Sequence, residues 1–385
     1  MYAQSGTCGK SVTWNLNNGV LTISGSGDMD FFYPSSPWYS FAEQINQVVI
    51  KDGVTSIGGN AFWKCSNMTS ITIPESVKKI DVGAFGYCSS IRYISIPQDV
   101  EYISQLTFVG CYSLTNIYIP NNVTYIGPSA FEDCTGLTSV YIPNKVTTID
   151  IGAFQNCTDL TSVNISDNVT YVGQDAFAGC SSLNKPVYNS HSFFYMPYSY
   201  SGPYAIKKSI KQIADNAFRY CSGLTSITIS NHVKSIGHSA FMECTGLNSI
   251  TIPDSVTYIG DSVFYDCAGL TSVSIPSTVS NIGNFAFHGC PGLTEPIFID
   301  KVFAFLPKSY SGKYDIPNGI SRIAGGAFEE CKQLTSVTIP NSVRSIGPRA
   351  FYNCTGLTTI IIPASVIDLA DDAFEGCINM KIIYE

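Results

Sequence analysis

Apolar and polar positions follow one pattern along most of this chain, and the pattern repeats about every 23 residues. One unit, from Cys134 to Asn156, reads CTGLTSVYIPNKVTTIDIGAFQN. Its first part, Leu137 to Ile142, ends in strict alternation of apolar and polar residues, which predicts a short strand with one face buried. Pro143 ends this strand because proline cannot donate the next hydrogen bond of a ladder. The following V-x-x-I spacing predicts that the chain then turns onto the opposite side.

A phenylalanine with a cysteine three residues later closes each unit, and an alanine usually precedes the phenylalanine. We predict a single helical turn here, with the two side chains on one face. Ten of the twelve intervals between these phenylalanines are 23 residues and two are 41. A fixed period of this length indicates one structural unit stacked on copies of itself. The phenylalanines, which we expect to form an internal spine, are Phe62, Phe85, Phe108, Phe131, Phe154, Phe177, Phe218, Phe241, Phe264, Phe287, Phe328, Phe351 and Phe374.

The two long intervals contain the same aromatic module, at about residues 183–206 and 293–316. Both share a P-V/I-Y/F start, an F-x-Y/F-M/L-P run and an S-Y-S-G-x-Y end. We predict extra extended segments that protrude near the strand face. Insertions in repeat proteins often lie on the binding face, so exposed aromatic residues here are candidate ligand contacts; the alternative is that about half of them pack onto the solenoid. The candidates are Tyr195, Tyr198, Tyr200, Phe305 and Tyr310.

Residues 1–46 lack the repeat and predict a capping segment. Asn17-Asn18-Gly19 between two alternating runs is typical of a β-hairpin, and Ser36-Pro37 is typical of the start of a short helix. A solenoid needs such a cap to shield its first turn. Residues 47–385 then form the solenoid.

The repeated pattern C-x-x-L-x-x-I-x-I-P-x-x-V-x-x-I-G-x-x-A-F-x-x resembles the BspA-like, or Treponema pallidum-type, leucine-rich repeats of bacterial surface proteins. The resemblance covers about residues 46–385. It implies a curved, β-rich leucine-rich-repeat solenoid of thirteen rungs with short helical turns. It also implies a secreted or surface-displayed scaffold for adhesion, which binds a protein or a glycan on a host or microbial surface.

Charge and composition exclude several other classes. The chain has 21 basic and 29 acidic residues, a net charge of −8, whereas a nucleic acid or an anionic membrane requires a basic stripe. No apolar run approaches the roughly 18 residues of a membrane helix. The first residues lack the basic and apolar regions of a signal peptide. The protein is therefore either cytoplasmic or begins after a cleavage site, and we favour the second.

The cysteines and histidines do not form a recognisable catalytic or metal-binding pattern. Thirteen of the fourteen cysteines occupy one repeat position, and we expect buried free thiols rather than disulfides because their Cβ vectors run parallel. Cys8 lies outside this ladder and is the thiol to test for a partner. We expect His191, His232, His238 and His288 to be surface residues. The sequence thus predicts no enzyme, no metal and no cofactor.

One stretch of the predicted strand face differs from the neutral threonine and serine found elsewhere. Two tyrosines, at 118 and 141, occupy the same position in adjacent units, and we expect their rings to lie side by side. Exposed tyrosine, with an apolar ring and a polar tip, suits a protein or glycan partner; ordinary cross-strand pairing is the alternative. The candidate ligand-binding residues of this face are Arg92, Tyr93, Asn116, Tyr118, Tyr141 and Asn164.

The sequence ends within a predicted strand, in Cys377-INMKIIYE. Such a strand leaves an open sheet edge that can pair with another chain. Either the natural protein continues, or edge-to-edge self-association through this strand gives it a structural role; the latter is our alternative hypothesis for function.

Overall fold

The computed structural model of the chain describes residues 4–385, which divide into two compact units between Asn189 and Ser190. In both units one turn of the backbone carries a first strand, a second strand and a tight turn. Each residue lies beside its own counterpart of the next repeat: Tyr125 pairs with Thr148 and Ile126 with Ile149. One 23-residue period is therefore one turn of a β-solenoid, and the two units contain about sixteen turns.

The first unit contains fifteen strands among its described residues, and a 3₁₀ helix, Tyr39–Gln44, between the fourth and fifth. The strands are β1 Gln4–Gly9, β2 Val12–Asn17, β3 Val20–Gly25, β4 Gly27–Asp28, β5 Gln47–Ile50, β6 Val54–Ile57, β7 Ser70–Thr72, β8 Lys79–Ile80, β9 Tyr102–Ile103, β10 Tyr125–Ile126, β11 Ser139–Tyr141, β12 Thr148–Ile149, β13 Ser162–Asn164, β14 Tyr171–Val172 and β15 Val187–Tyr188. The second strands form the parallel ladder β9–β10–β12–β14, whereas the first strands β11 and β13 form a sheet of two.

The second unit repeats this arrangement. Its strands are β16 Ser192–Tyr195, β17 Ser201–Ala205, β18 Gln212–Ile213, β19 Gly223–Thr228, β20 Ser235–Ile236, β21 Ser249–Thr251, β22 Tyr258–Ile259, β23 Ser272–Ser274, β24 Asn281–Ile282, β25 Ile297–Ile299, β26 Val302–Phe305, β27 Gly312–Asp315, β28 Arg322–Ile323, β29 Leu334–Thr338, β30 Ser345–Ile346, β31 Thr359–Ile362, β32 Asp368–Leu369 and β33 Lys381–Tyr384.

The N-terminal residues supply the first turn of the solenoid. β2 and β3 form the predicted hairpin, with Asn18 and Gly19 in the left-handed conformation that its turn requires. β3 then pairs in parallel with β5, so the hairpin joins the first-strand ladder directly. The predicted short helix is the 3₁₀ helix, and Tyr39 N–H donates to the Ser36 carbonyl just before it.

The predicted phenylalanine spine is confirmed within each unit. In the first unit the ring centroids from Phe62 to Phe177 follow one another at 5.0–5.6 Å, with nearly parallel planes. Trp38, fully buried, begins the stack: its ring lies 5.9 Å from Phe62 and its Nε1 donates to the Ala61 carbonyl at 2.7 Å. The first turn therefore contributes a tryptophan where later turns contribute phenylalanine.

The predicted helical turn between phenylalanine and cysteine is not formed. Cys65 N–H donates to the Phe62 carbonyl at 3.0 Å, the i to i+3 bond of a tight turn. The residue two positions after the phenylalanine has positive φ in all thirteen units, from Lys64 at 61° to Gly376 at 78°. A left-handed residue cannot continue a right-handed helix. Its N–H bonds the next turn instead, as Lys64 N–H does to the Gly86 carbonyl at 2.8 Å.

The two enlarged units each form one additional turn of the solenoid, and the prediction that they protrude is wrong. In the second of them, β25 folds back through an antiparallel hairpin into β26, which pairs in parallel with β28. β27 then pairs with β29 in the first-strand position. The first enlarged unit follows the same course, with β16 beside β18 and β17 beside β19.

The additional turns also add rings to the spine, although in the second unit Phe287 meets Phe305 edge-on at 6.2 Å. Phe193 and Phe303, fully buried, stack on Phe218 and Phe328, each at 4.7 Å. The corresponding backbone position is filled by Met196 and Leu306, whose N–H groups donate to Ala217 and Ala327 carbonyls at 2.7 Å. In a regular turn one phenylalanine both stacks its ring and donates its N–H to the next turn. In the additional turns one residue supplies the ring, and the residue three positions later supplies the N–H.

The cysteines are free, as expected, and all but Cys377 are buried. In the regular turns the thiol donates to the phenylalanine carbonyl of the preceding turn, as Cys134 Sγ does to Phe108 O at 3.2 Å. After the additional turns, Cys221 and Cys331 donate to the Met196 and Leu306 carbonyls instead. Burial raises the pKa of Cys65 and of Cys111 to about 12. Cys8 is also buried, and burial together with the Asp30 carboxylate raises its pKa to about 12. These thiols are therefore small apolar core residues.

This arrangement predicts selective alkylation. Iodoacetamide at neutral pH should modify Cys377 and leave the thirteen buried cysteines unmodified, because the thiolate is the nucleophile and burial opposes its formation. Peptide mapping by mass spectrometry measures the labelling, and the chain in guanidinium chloride, where all fourteen should react, is the control. Rapid labelling of Cys134 in the folded chain would contradict the buried ladder.

Candidate binding face

The six predicted residues of the strand face are all exposed. Tyr93, Tyr118 and Tyr141 retain 59%, 47% and 53% of their accessible surface. The residues that alternate with them, such as Ile117 and Val140, are buried. Alternation along the first strand thus directs these tyrosines outward, together with Asn116 and Asn164, and Arg92 beside Tyr93 is exposed as well. We call these six residues the first-strand face.

The face lies on successive turns, but its strands do not form one continuous sheet. Tyr141 lies directly beside Asn164 in the β11–β13 pair, and Tyr118 lies beside Ser95 in an isolated bridge. Within residues 4–385 no strand pairing joins Tyr118 to Tyr141, and each ring is exposed. The expectation that the two rings lie side by side stays a prediction.

The hydroxyl groups of threonines that flank the face are used in hydrogen bonds between turns of the solenoid. Thr138 Oγ1 donates to the Thr115 carbonyl at 3.3 Å, and Thr161 Oγ1 donates to the Thr138 carbonyl at 3.0 Å. Each hydroxyl is thus bonded to the preceding turn. The tyrosine and asparagine side chains remain as the groups of this face that are directed to solvent.

A groove of about 550 Å³ adjoins the face at Asn164. One wall is β13 with its flanking residues, and the other is the start of the first enlarged unit. Ser182 N–H still donates to the Thr158 carbonyl at 3.0 Å, so this turn begins in register. The groove is lined by Thr161, Ser162, Val163, Asn164, Ile165, Leu183, Lys185, Pro186, Val187 and Tyr188.

The two walls separate at a proline. Pro186 stands where Val163 and Val140 stand in the preceding turns. The chain leaves the ladder there, and Asn189 fixes its new course by donating from Nδ2 to the Ser166 carbonyl at 3.2 Å and the Val169 carbonyl at 3.0 Å. This groove was not among the predicted sites, although proline at an inward apolar position of the repeat is a signal for it in the sequence.

The aromatic residues predicted as contacts in the enlarged units are largely internal. Tyr195 and Phe305 are buried, at 8% and 6% exposure, so the expectation of an exposed surface is wrong for both. Tyr198, Tyr200 and Tyr310 are half-buried.

Ring contacts hold these three tyrosines against the solenoid. Tyr198 packs edge-on against Tyr220 at 5.6 Å, Tyr200 against Tyr204 at 5.6 Å, and Tyr310 against Tyr314 at 5.3 Å. The Tyr310 hydroxyl donates to the Lys313 carbonyl at 3.0 Å. These residues therefore pack onto the solenoid, which was the alternative stated for this module.

The histidines show contacts within the fold. His288 is not a surface residue, contrary to expectation: its Nδ1 lies 2.7 Å from Glu329 Oε2 and its ring stacks on Tyr265 at 4.5 Å. His238 Nδ1 accepts the Asp261 N–H at 3.0 Å. No group of three histidine, cysteine or acidic side chains within residues 4–385 is arranged to hold a metal ion.

The described part of the chain contains no helix with the length and apolar character needed to cross a membrane.

Comparison with known proteins agrees with the geometry. The sequence matches the BspA type leucine rich repeat region (6 copies) over residues 37–160, 191–315 and 303–384. The chain belongs to the BspA-type leucine-rich-repeat family. The predicted leucine-rich-repeat solenoid is thereby confirmed. No curated protein matches the chain.

Solved structures of bacterial leucine-rich-repeat proteins and of the antigen PcpA resemble this chain over nearly its whole length. A leucine-rich repeat protein from Eubacterium ventriosum is 25% identical, with a TM-score of 0.57, over 98% of this chain and 95% of the other. One from Bacteroides ovatus is 28% identical, with a TM-score of 0.51, over 98% of each. The pneumococcal vaccine antigen PcpA shares the fold at 17% identity and a TM-score of 0.51, over 99% of this chain and 98% of PcpA. The fold is thus that of bacterial repeat proteins, which suggests an interaction scaffold.

Proposed function

We propose that this chain is a non-catalytic scaffold, displayed at a bacterial surface, that binds a protein or glycan partner through the first-strand face. The observation that carries the proposal is the exposure of Tyr93, Tyr118 and Tyr141 on one side of neighbouring turns. Tyrosine and arginine are enriched at interfaces, where a rigid amphipathic ring contributes contact area at low entropic cost. Asn116 and Asn164 add amide donors and acceptors between the rings.

The character of the face favours a neutral partner surface over a polyanion. Arg92 is its single charged member, and the chain as a whole carries a net charge of −8. A nucleic acid would require several cations in a row. Surface display follows the resemblance of the repeat to bacterial surface proteins.

A double substitution tests the face. We expect Tyr118→Ala with Tyr141→Ala to reduce binding of the purified chain to its partners on a protein and glycan array by at least tenfold. Tyrosines that a partner buries are among the residues that contribute most to the binding free energy of an interface. The matched control is Tyr102→Ala with Tyr171→Ala, which removes two exposed tyrosines, at 55% and 43%, from second strands. Equal losses in the two double variants would contradict the proposal.

Self-association through β33 is the alternative, and the same preparation tests it. Light scattering over a range of concentrations gives the mass in solution. A monomer mass independent of concentration would exclude this alternative and leave a separate partner as the explanation of binding.

A further inference from the structure

The groove beside the first-strand face has an open strand edge as one wall. β13 is hydrogen-bonded to β11 on one side, where Ile142 N–H donates to the Asn164 carbonyl at 2.8 Å. Within residues 4–385, β11 is its one strand partner. Adjacent residues of a strand direct their backbone groups to opposite edges. Val163 therefore presents its N–H and C=O to the groove.

Exposure of the valine side chain agrees with this geometry. Ile94, Ile117 and Val140 occupy the same repeat position as Val163 in preceding turns and are at most 4% exposed. Val163 is half-buried. Departure of the next turn at Pro186 uncovers both the side chain and the backbone edge.

The second enlarged unit shows the same two features. Pro296 matches Pro186 in sequence, and β23, in the turn before it, belongs to a sheet of two with β21. Val273 in β23 is half-buried, whereas Ile250 in β21 is 3% exposed. A proline that ends the ladder and a partly uncovered valine before it therefore accompany both copies of the module. A half-buried residue at this position also occurs on a regular turn, at Ile71 in β7, and the groove itself lies at the first module.

We propose that the groove beside β13 binds an extended peptide segment of a partner protein by strand addition. The proposal deepens the function proposed above and rests on it, because Asn164 belongs to both the groove and the first-strand face. An open edge is satisfied by the backbone of another strand, whereas a glycan has no matching row of amides. Residues 161–165 line one wall, which fits about five peptide residues at about 3.3 Å each.

The chemistry of the groove defines the peptide further. Val163, Ile165 and Val187 provide apolar contacts, so alternate peptide side chains that face them should be apolar. Lys185 is the charged residue among those that line the groove, and it favours an acidic residue at the adjacent peptide position. The expected ligand is a short extended segment with alternating apolar residues and at least one carboxylate.

A peptide library displayed on phage, selected against the full chain, tests this proposal. We expect selected peptides to slow amide hydrogen exchange at Val163. Methylation of peptide backbone nitrogens should reduce affinity at least tenfold at alternate positions and less than twofold at the positions between, because one edge of the peptide pairs with β13. Val163→Pro should also reduce affinity at least tenfold, since it removes the donor that faces the groove and leaves the β11 edge unchanged.

The peptide measurements do not depend on the folding of Val163→Pro. Uniform sensitivity to methylation, unchanged exchange at Val163, or a library that yields no peptide with these properties would overturn the proposal. If the Tyr118→Ala, Tyr141→Ala variant lost peptide binding and the peptide left exchange at Val163 unchanged, the peptide would bind the first-strand face and the groove proposal would be wrong. If the peptide protected Val163 and the double variant bound the array as well as the original chain, the groove proposal would stand and the proposal for the first-strand face would be wrong.

Discussion

Replacement of Phe303 by alanine is expected to lower the free energy of unfolding by about 3–5 kcal/mol, as truncation of a buried phenylalanine does elsewhere. The Phe303 ring is fully buried, stacks on Phe328 at 4.7 Å and meets the edge of Tyr314 at 5.4 Å. Loss of the ring leaves a cavity that the short additional turn cannot close, since strands pair on both sides of it. Urea unfolding followed by circular dichroism measures the change.

The matched control is Phe298→Ala in the same enlarged unit. Phe298 is 53% exposed, so its loss should change the free energy of unfolding by less than about 0.5 kcal/mol. A protruding module would give the two variants similar, small effects. That result would contradict the assignment of this segment as a turn of the solenoid.

The regular turns could be predicted because every residue lies beside its own counterpart. The register of Ile126 with Ile149 converts a 23-residue period into one turn without any knowledge of distant contacts. The tight turn after each phenylalanine was predicted less well. Residues as different as Lys64, Tyr87 and Glu243 adopt positive φ there, and their side chains give no local signal for it.

The enlarged units were predicted to protrude because the burial of their strands was not recognised in the sequence. Val302 to Phe305 are all buried, and so are Ser192 to Tyr195. A strand buried on both faces has a continuous apolar run rather than alternation. The runs VFAFL and SFFYM carry this signal, but their aromatic content suggested exposed contacts instead.

The outward positions of five residues of the first-strand face follow from alternation, whereas Arg92 is exposed beside the outward Tyr93, and the structure places all six residues at the surface. The groove does not follow from alternation, because it arises where pairing between turns is lost. Only the position of Pro186 within the repeat, compared with Val163, connects that loss to the sequence. The binding role of either surface remains a prediction for the experiments above.

Ionisation of the buried thiols is expected to cause the second large effect, a loss of stability at alkaline pH. Burial raises the pKa to about 12 for six thiols, and for Cys8 the Asp30 carboxylate contributes as well. An unfolded thiol ionises near pH 8.5. Folding therefore favours the neutral form, so the stabilisation is complete below about pH 8.5 and is lost as the pH rises towards about 12. The six thiols are Cys8, Cys65, Cys111, Cys221, Cys290 and Cys331.

We expect the free energy of unfolding to fall steeply between about pH 8.5 and about pH 10. Each of these thiols destabilises the fold by about 1.4 kcal/mol per pH unit above its unfolded pKa, so six thiols together contribute on the order of 10 kcal/mol, similar to the whole stability of a typical domain. Urea unfolding at pH steps below about 10, where most unfolded tyrosines are still protonated, gives the slope of stability against pH. In the control variant Cys65→Ala with Cys111→Ala that slope should fall by about two protons, whatever the change in overall stability. A free energy of unfolding that stays constant from about pH 8 to about pH 10 would show that the ladder thiols ionise as easily in the folded chain as in the unfolded one.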